Sequence, residues 1–230
     1  MSGNGRFLAR VSGEVKGNVS LRKQQYRISD NTEESIKLAR NFITGKVYNC
    51  RWVLERAVRD YSLRIDTDSI KKKSKILYQS LEKIRTCKTS AQLLGLEGEA
   101  AAVYFSVFDE LILQQKEDFT FQGRNRRPPL DNVNAMLSFA YSLLTGMCGS
   151  ALESVGLDAY VGFFHTDRPG RISLALDIME ELRSIMADRF VLTMINKRII
   201  KKSHFIQKES GAVVLTDEGR KLFLSCLLYT

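Results

Sequence analysis

The chain has 230 residues, of which 44% are hydrophobic and 27% charged, enough to bury one large core with at most a small appendage. Thirty-five Lys and Arg face 26 Asp and Glu, a net charge of +9 that points to an anionic partner, nucleic acid first. No apolar run approaches the roughly 20 residues that span a bilayer, and no signal peptide is evident, so a cytoplasmic protein without membrane contact is expected.

Residues 1–29 are Gly-rich (Gly3, Gly5, Gly13, Gly17), with short alternating runs such as Phe7-Leu8-Ala9-Arg10-Val11 and Val19-Ser20-Leu21. They read as one or two strands with turns, which have no core of their own. The segment is therefore expected to be the remnant of a β domain plus linker, with residues 30–230 forming a helical domain.

From Asp30-Asn31 the period changes. Ile36, Ala39, Ile43, Val47, Cys50, Leu54, Ala57 and Tyr61 recur every three or four residues and predict a helix of about 30 residues capped by Asp30 or Asn31. Arg40, Lys46, Arg51, Arg56 and Arg59 are expected beside that stripe, as a solvated face or a DNA-facing flank. Asp66 to Ser69 cap a second, basic helix through Leu77, Leu81 and Ile84. Thr89-Ser90 opens a third, in which Gly95, Gly98 and Ala100 to Ala102 surround Glu97. Glycine inside a helix costs about 1 kcal/mol against alanine, so close packing beside a buried carboxylate is the expected compensation.

The stretch from Asp118 to Leu130 holds Arg124, Arg126, Arg127 and the pair Pro128-Pro129. It reads either as a basic connection or as a phosphate clamp, for which arginine is suited. Asp131 starts a fourth helix with Val133, Leu137, Ala140, Tyr141, Leu144 and Cys148 on its buried face, ended by Gly156. An apolar run then delivers His165, one of two histidines, followed by a Pro169-Gly170 break. The next helix carries Ile172, Ala175, Ile178, Met179, Leu182 and Met186 as its stripe. Asp177 shares a helical face with Glu180, and Glu181 lies on its other flank. Carboxylates beside an imidazole suit a divalent cation; equally, such acids are ordinary solvated surface. Beyond Phe190 the helix continues to about Arg198. A basic segment (Lys197, Arg198, Lys201, Lys202), a hairpin over 207–215 and a last helix capped by Thr216 complete the chain. Cys50, Cys87, Cys148 and Cys226 are too scattered for a zinc site and read as thiols.

Leu94-Gly95-Leu96-Glu97-Gly98, Gly162-Phe163-Phe164-His165 and Leu174-Ala175-Leu176-Asp177-Ile178-Met179-Glu180-Glu181 occur in that order. With Phe119 to Pro129 and Leu215-Thr216-Asp217-Glu218-Gly219-Arg220, the chain resembles the CRISPR-associated integrase, and within its type I forms the I-C branch. That resemblance implies a mainly α fold and a metal site of Glu97, His165 and Glu180, with Asp177 as a second acid and Glu180 preferred over Glu181. It implies Mg²⁺ or Mn²⁺ as cofactor, and transesterification of a DNA 3′-hydroxyl onto a repeat phosphodiester. Prespacer and CRISPR-repeat DNA are the implied partners, with a small ferredoxin-like adaptation protein and a second copy of the chain. Arg124, Arg126, Arg127, Lys201 and Lys202 are the expected DNA contacts. The family's β domain and C-terminal end extend beyond this chain, so impaired integration is expected. The alternatives are a non-enzymatic DNA-binding or scaffolding remnant, and a metal-dependent hydrolase of another phosphodiester.

Overall fold

A 30-residue helix, α2 (Thr32–Tyr61), forms the axis of the computed structural model, which describes residues 19–228. Asn31 caps it, its side chain accepting from the backbone N–H of Glu33 and Glu34 at 3.0 and 3.2 Å. Its apolar stripe buries Ile36, Ala39, Ile43, Val47, Cys50, Val53, Leu54 and Ala57. Against it lie α3 (Thr67–Thr86), α4 (Ser90–Phe105) and α6 (Ser173–Leu182). The expected caps operate at each start: Asp66 for α3, Thr89 for α4, and Asp131 for α5 (Asn132–Ser154). The fold is mainly α, as the sequence predicts.

Helix α5 is, among the described helices, the one long and apolar enough to cross a bilayer. Val133, Met136, Leu137, Ala140, Leu144 and Cys148 are instead buried against the rest of the fold, where a core helix places them. The hairpin forms as expected, β1 (Phe205–Gln207) antiparallel to β2 (Val213–Leu215) with Phe205 opposite Leu215, and α8 (Asp217–Leu228) follows.

Two expectations are corrected. Val19–Asp30 is a helix, α1, not a strand; the part of the 1–29 β expectation covering residues 1–18 lies outside the described residues. The Val19-Ser20-Leu21 alternation is too short to outweigh the helical run behind it, in which Gln25 is buried. Second, the helix after Pro169-Gly170 does not keep one period. Between α6 and α7 (Arg189–Asn196) it widens into a π-helical turn, Arg183–Asp188. The i→i+5 turn slips the phase, so Met186 faces outward, 42% exposed, while Ala187 and Asp188 are buried.

Candidate metal centre and basic cleft

The loop bearing His165 is shaped by one buried carboxylate. Asp177, fully buried in α6, accepts from the backbone N–H of Phe163 at 2.7 Å and Phe164 at 3.0 Å on Oδ2. On Oδ1 it accepts from the backbone N–H of His165 at 2.9 Å and from His165 Nδ1 at 2.7 Å. With three backbone N–H groups aimed at it, the Asp177 carboxylate acts as an acceptor, so Nδ1 is the donor of this pair. Gly162 makes the approach possible: a Cβ there would lie 2.8 Å from Ser173 Cβ and 3.0 Å from Asp177 Oδ2.

Helix α1 holds the same loop from its other side. The buried Gln25 amide donates to the carbonyls of Asp158 and Val161 at 2.7 and 2.9 Å and accepts from the backbone N–H of Asp158 at 2.9 Å. The Ser29 hydroxyl donates to the Gly162 carbonyl and, from the first turn of α2, the Ser35 hydroxyl to that of Phe163, each at 3.2 Å. The segment expected as a strand remnant is thus a fastening for the histidine loop.

Glu97 of α4 and Glu180 of α6 meet at a third residue, Lys46 of α2. Its ammonium pairs with Glu97 Oε1 and with Glu180 Oε2, the latter at 2.5 Å. Lys46 is 5% exposed, so it lies inside the apolar stripe and not beside it as expected. Its spacing from Ile43 and Cys50, three and four residues, carried that signal. Arg183, at the start of the π turn, donates from Nη1 to both oxygens of Glu180 at 3.2 Å. Burial opposes ionisation of Glu180, but Lys46 and Arg183, with His165 adding to them, hold its carboxyl down to about 2. Burial likewise opposes the Lys46 charge; Glu180 and, past the repulsion of Arg183, Glu97 raise its pKa above the ordinary lysine value. Glu181 is exposed, and its backbone carbonyl accepts from Asn49 at 2.8 Å. Packing therefore separates the two adjacent glutamates that helical spacing left equivalent.

Behind Glu180 lies a buried polar layer that no sequence motif announced. The Tyr141 hydroxyl donates to Asp188 Oδ1 at 2.5 Å, and the Arg183 guanidinium sits 4.1 Å from the Tyr141 ring centroid. Arg124 belongs to this layer. It donates to Asn134 Oδ1 at 2.6 Å and Ser138 Oγ at 3.0 Å, and lies over Tyr141. Arg126 and Arg127 are exposed. An open cleft of about 440 Å³ runs past Glu97, Gly123, Arg124, Arg126 and Arg183. Lys201 and Lys202 are exposed on the segment after α7, with Lys202 paired to Asp118 at 3.0 Å.

The compensation expected for the α4 glycines is not found. A Cβ on Gly95 or Gly98 would meet nothing within 4 Å, so these positions face open space beside Glu97. Sequence composition reported small residues correctly but could not tell an inner face from an outer one.

Among the described residues no three His, Cys, Asp or Glu side chains form a metal-holding group. Glu97 and Glu180 converge on one ammonium, while His165 is bound to Asp177 and near enough to Glu180 to bias its charge. The donors fit a divalent cation in kind. Two carboxylates already face one positive centre, and an imidazole fastened through Nδ1 to a carboxylate is oriented as metal-ligating histidines are.

Residues 1–227 match the family model described as CRISPR associated protein Cas1. The chain is 47% identical over 222 residues to the CRISPR-associated endonuclease Cas1 1 of Chlorobaculum tepidum, covering 96% of this chain and 65% of that one. It is 50% identical over 225 residues to the CRISPR-associated endonuclease Cas1 2 of Rhodospirillum rubrum, covering 96% and 64%. The chain thus spans less than two thirds of the length of either relative. Among solved structures, a casposase bound to integration product superposes with a TM-score of 0.81 at 28% identity, covering all of this chain and 62% of that one. A Cas1 protein from Thermotoga maritima gives 0.79 at 27% identity, covering 98% and 67%. A partial Cas6-RT-Cas1–Cas2 complex gives 0.83 at 26%, covering 98% and 67%.

Proposed function

Given that the chain belongs to the Cas1 family of CRISPR-associated proteins, we propose that it carries the centre of a divalent-metal-dependent DNA endonuclease and integrase of CRISPR adaptation. The observation that carries this reading is the meeting of Glu97 and Glu180 at one cationic centre, with the Asp177-fastened His165 close by. Glu97, Glu180 and His165 Nε2 would hold Mg²⁺ or Mn²⁺, the imidazole favouring Mn²⁺. When bound, such an ion supplies Lewis-acid polarisation of the scissile phosphate and charge stabilisation of the departing oxygen.

The chain's own residues account for the rest. Asp177 fixes the tautomer and direction of His165. Arg183 keeps Glu180 ionised and oriented. Arg126 at the cleft rim and the exposed Arg127 beside it engage phosphates without reading sequence, and Lys201 and Lys202 extend the basic surface. The open face of Gly95 and Gly98 leaves room for a nucleic-acid backbone to approach Glu97. Arg124, expected as a DNA contact, lines the same cleft and in this reading supports its wall, its Nη1 and Nη2 donating to Asn134, Ser138 and the Asn125 carbonyl.

The substrates in this reading are prespacer and CRISPR-repeat DNA in the cytoplasm. The reaction is attack of a DNA 3′-hydroxyl on a repeat phosphodiester, with the I-C branch resting on the sequence resemblance alone. Its protein partners are a second copy of the chain and a small ferredoxin-like adaptation protein, in keeping with the Cas1–Cas2 complexes among the structural neighbours. The test is cleavage of branched DNA with Mn²⁺ by the wild-type chain and by Glu97→Gln. Metal-dependent cleavage lost in the variant is the expected result. A second reading, a DNA-binding scaffold without catalysis, is favoured by the ammonium already seated between the two glutamates. It predicts DNA binding indifferent to Mn²⁺ and no cleavage by either protein.

A further inference from the structure

Lys46 is the residue that brings the two carboxylates together. It reaches from α2 to Glu97 on α4 and Glu180 on α6, three helices joined at one ammonium. Glu180 has a second cation in Arg183, but Lys46 is the one ion-pair partner of Glu97 among the described residues. Lysine is almost never buried unless paired, and here the pairing is double. An ammonium and a divalent ion cannot share the same two oxygens, since like charges about 3 Å apart in a partly desolvated site repel strongly.

We infer that Lys46 is the resident counter-ion of the Glu97–Glu180 pair in the metal-free protein, and that divalent metal binds by displacing it. The inference rests on the metal-binding reading of this pair. Two consequences follow from the geometry. The ammonium keeps the two carboxylates facing each other before metal arrives, so the site is assembled in advance. It also competes for the same oxygens, so the affinity for metal is weaker than the carboxylates alone would give. Lysine suits this exchange better than arginine would, because its charge is a point at the end of a flexible four-carbon stem.

The test compares the wild-type chain with Lys46→Met, titrated with Mn²⁺ while free Mn²⁺ is followed by electron paramagnetic resonance, and melted with and without Mn²⁺. The variant should melt lower than wild type without metal, bind Mn²⁺ on the order of tenfold tighter or more, and gain more in melting temperature on Mn²⁺ addition. A variant that binds Mn²⁺ no tighter than wild type, or that melts unchanged without metal, overturns the inference while leaving the metal site standing. A wild-type chain that binds no Mn²⁺ overturns the metal reading itself, and displacement with it. Should Lys46→Met not fold without metal, Lys46→Gln, which keeps one donor and loses the charge, gives the affinity comparison under the same criteria.

Discussion

Replacing Asp177 by Asn changes one oxygen to an NH₂ group and nothing in volume, yet it strikes the most heavily used acceptor of the site. The carboxylate takes four hydrogen bonds, from the N–H groups of Phe163, Phe164 and His165 and from His165 Nδ1. Oδ1 and Oδ2 each take two of them, so whichever way the asparagine amide is turned, two donors face an NH₂. Each buried donor left without an acceptor costs about 1–3 kcal/mol, giving about 2–6 kcal/mol for Asp177→Asn. At about 2–4 °C per kcal/mol for a chain of this size, the melting temperature should fall by roughly 4–24 °C. Calorimetry or circular dichroism reads the fall, and ¹⁵N chemical shifts of the His165 ring report the amide's orientation, the Nδ1-protonated tautomer being lost where the NH₂ replaces Oδ1. A variant melting within about 2 °C of wild type and keeping its Nδ1-protonated ring would refute the account of how this loop is held.

Gln25→Ala removes the amide that pairs three backbone groups of the 158–161 segment; it should cost about 1–3 kcal/mol in urea unfolding and speed hydrogen exchange locally over 158–165. Arg126→Ala with Arg127→Ala should weaken binding to unrelated duplexes alike, and make the salt dependence shallower by about one unit per lost contact. Arg124→Ala should instead lower the melting temperature, and a pure affinity effect would count against its supporting role. The Cys50 thiol is pushed up to about 12, by burial first and then by Asp188. Its folded pKa lies above the unfolded value of about 8.5, so the stability it contributes is complete below that pH and is lost as pH rises toward 12. At pH 8 a thiol reagent should label Cys50 only after denaturation; rapid labelling of the native chain would contradict its burial.

What the sequence made legible were features governed by neighbours along the chain. The caps at Asn31, Asp66, Thr89 and Asp131 follow from side chains that accept from the first turn, and the α2 stripe follows from its period. The hairpin over 205–215 announced itself by its turn. What stayed hidden depended on contacts between distant segments. The spacing of Lys46 from Ile43 and Cys50 put it on the inner face, but its charge argued for the outside, and only the two glutamates from other helices offset that. Arg124 turned inward and Arg126 outward within three residues of one another, a choice made by Asn134 and Ser138. The π turn at Arg183–Asp188 shifted the phase of a helix whose period had looked continuous. Helical spacing alone left Glu180 and Glu181 equivalent; the resemblance preferred Glu180, and it is Glu180 that pairs with Lys46 and Arg183.

Glu97, Glu180 and His165 are proposed to bind one metal ion together. Pulsed electron paramagnetic resonance of Mn²⁺ added to the wild-type chain and to His165→Gln measures this directly, because a ligating imidazole imprints a ¹⁴N coupling on the Mn²⁺ signal. The account predicts a single bound Mn²⁺ per chain with that coupling in wild type and its absence in His165→Gln. Mn²⁺ bound without any nitrogen coupling in wild type, or not bound at all, would contradict it.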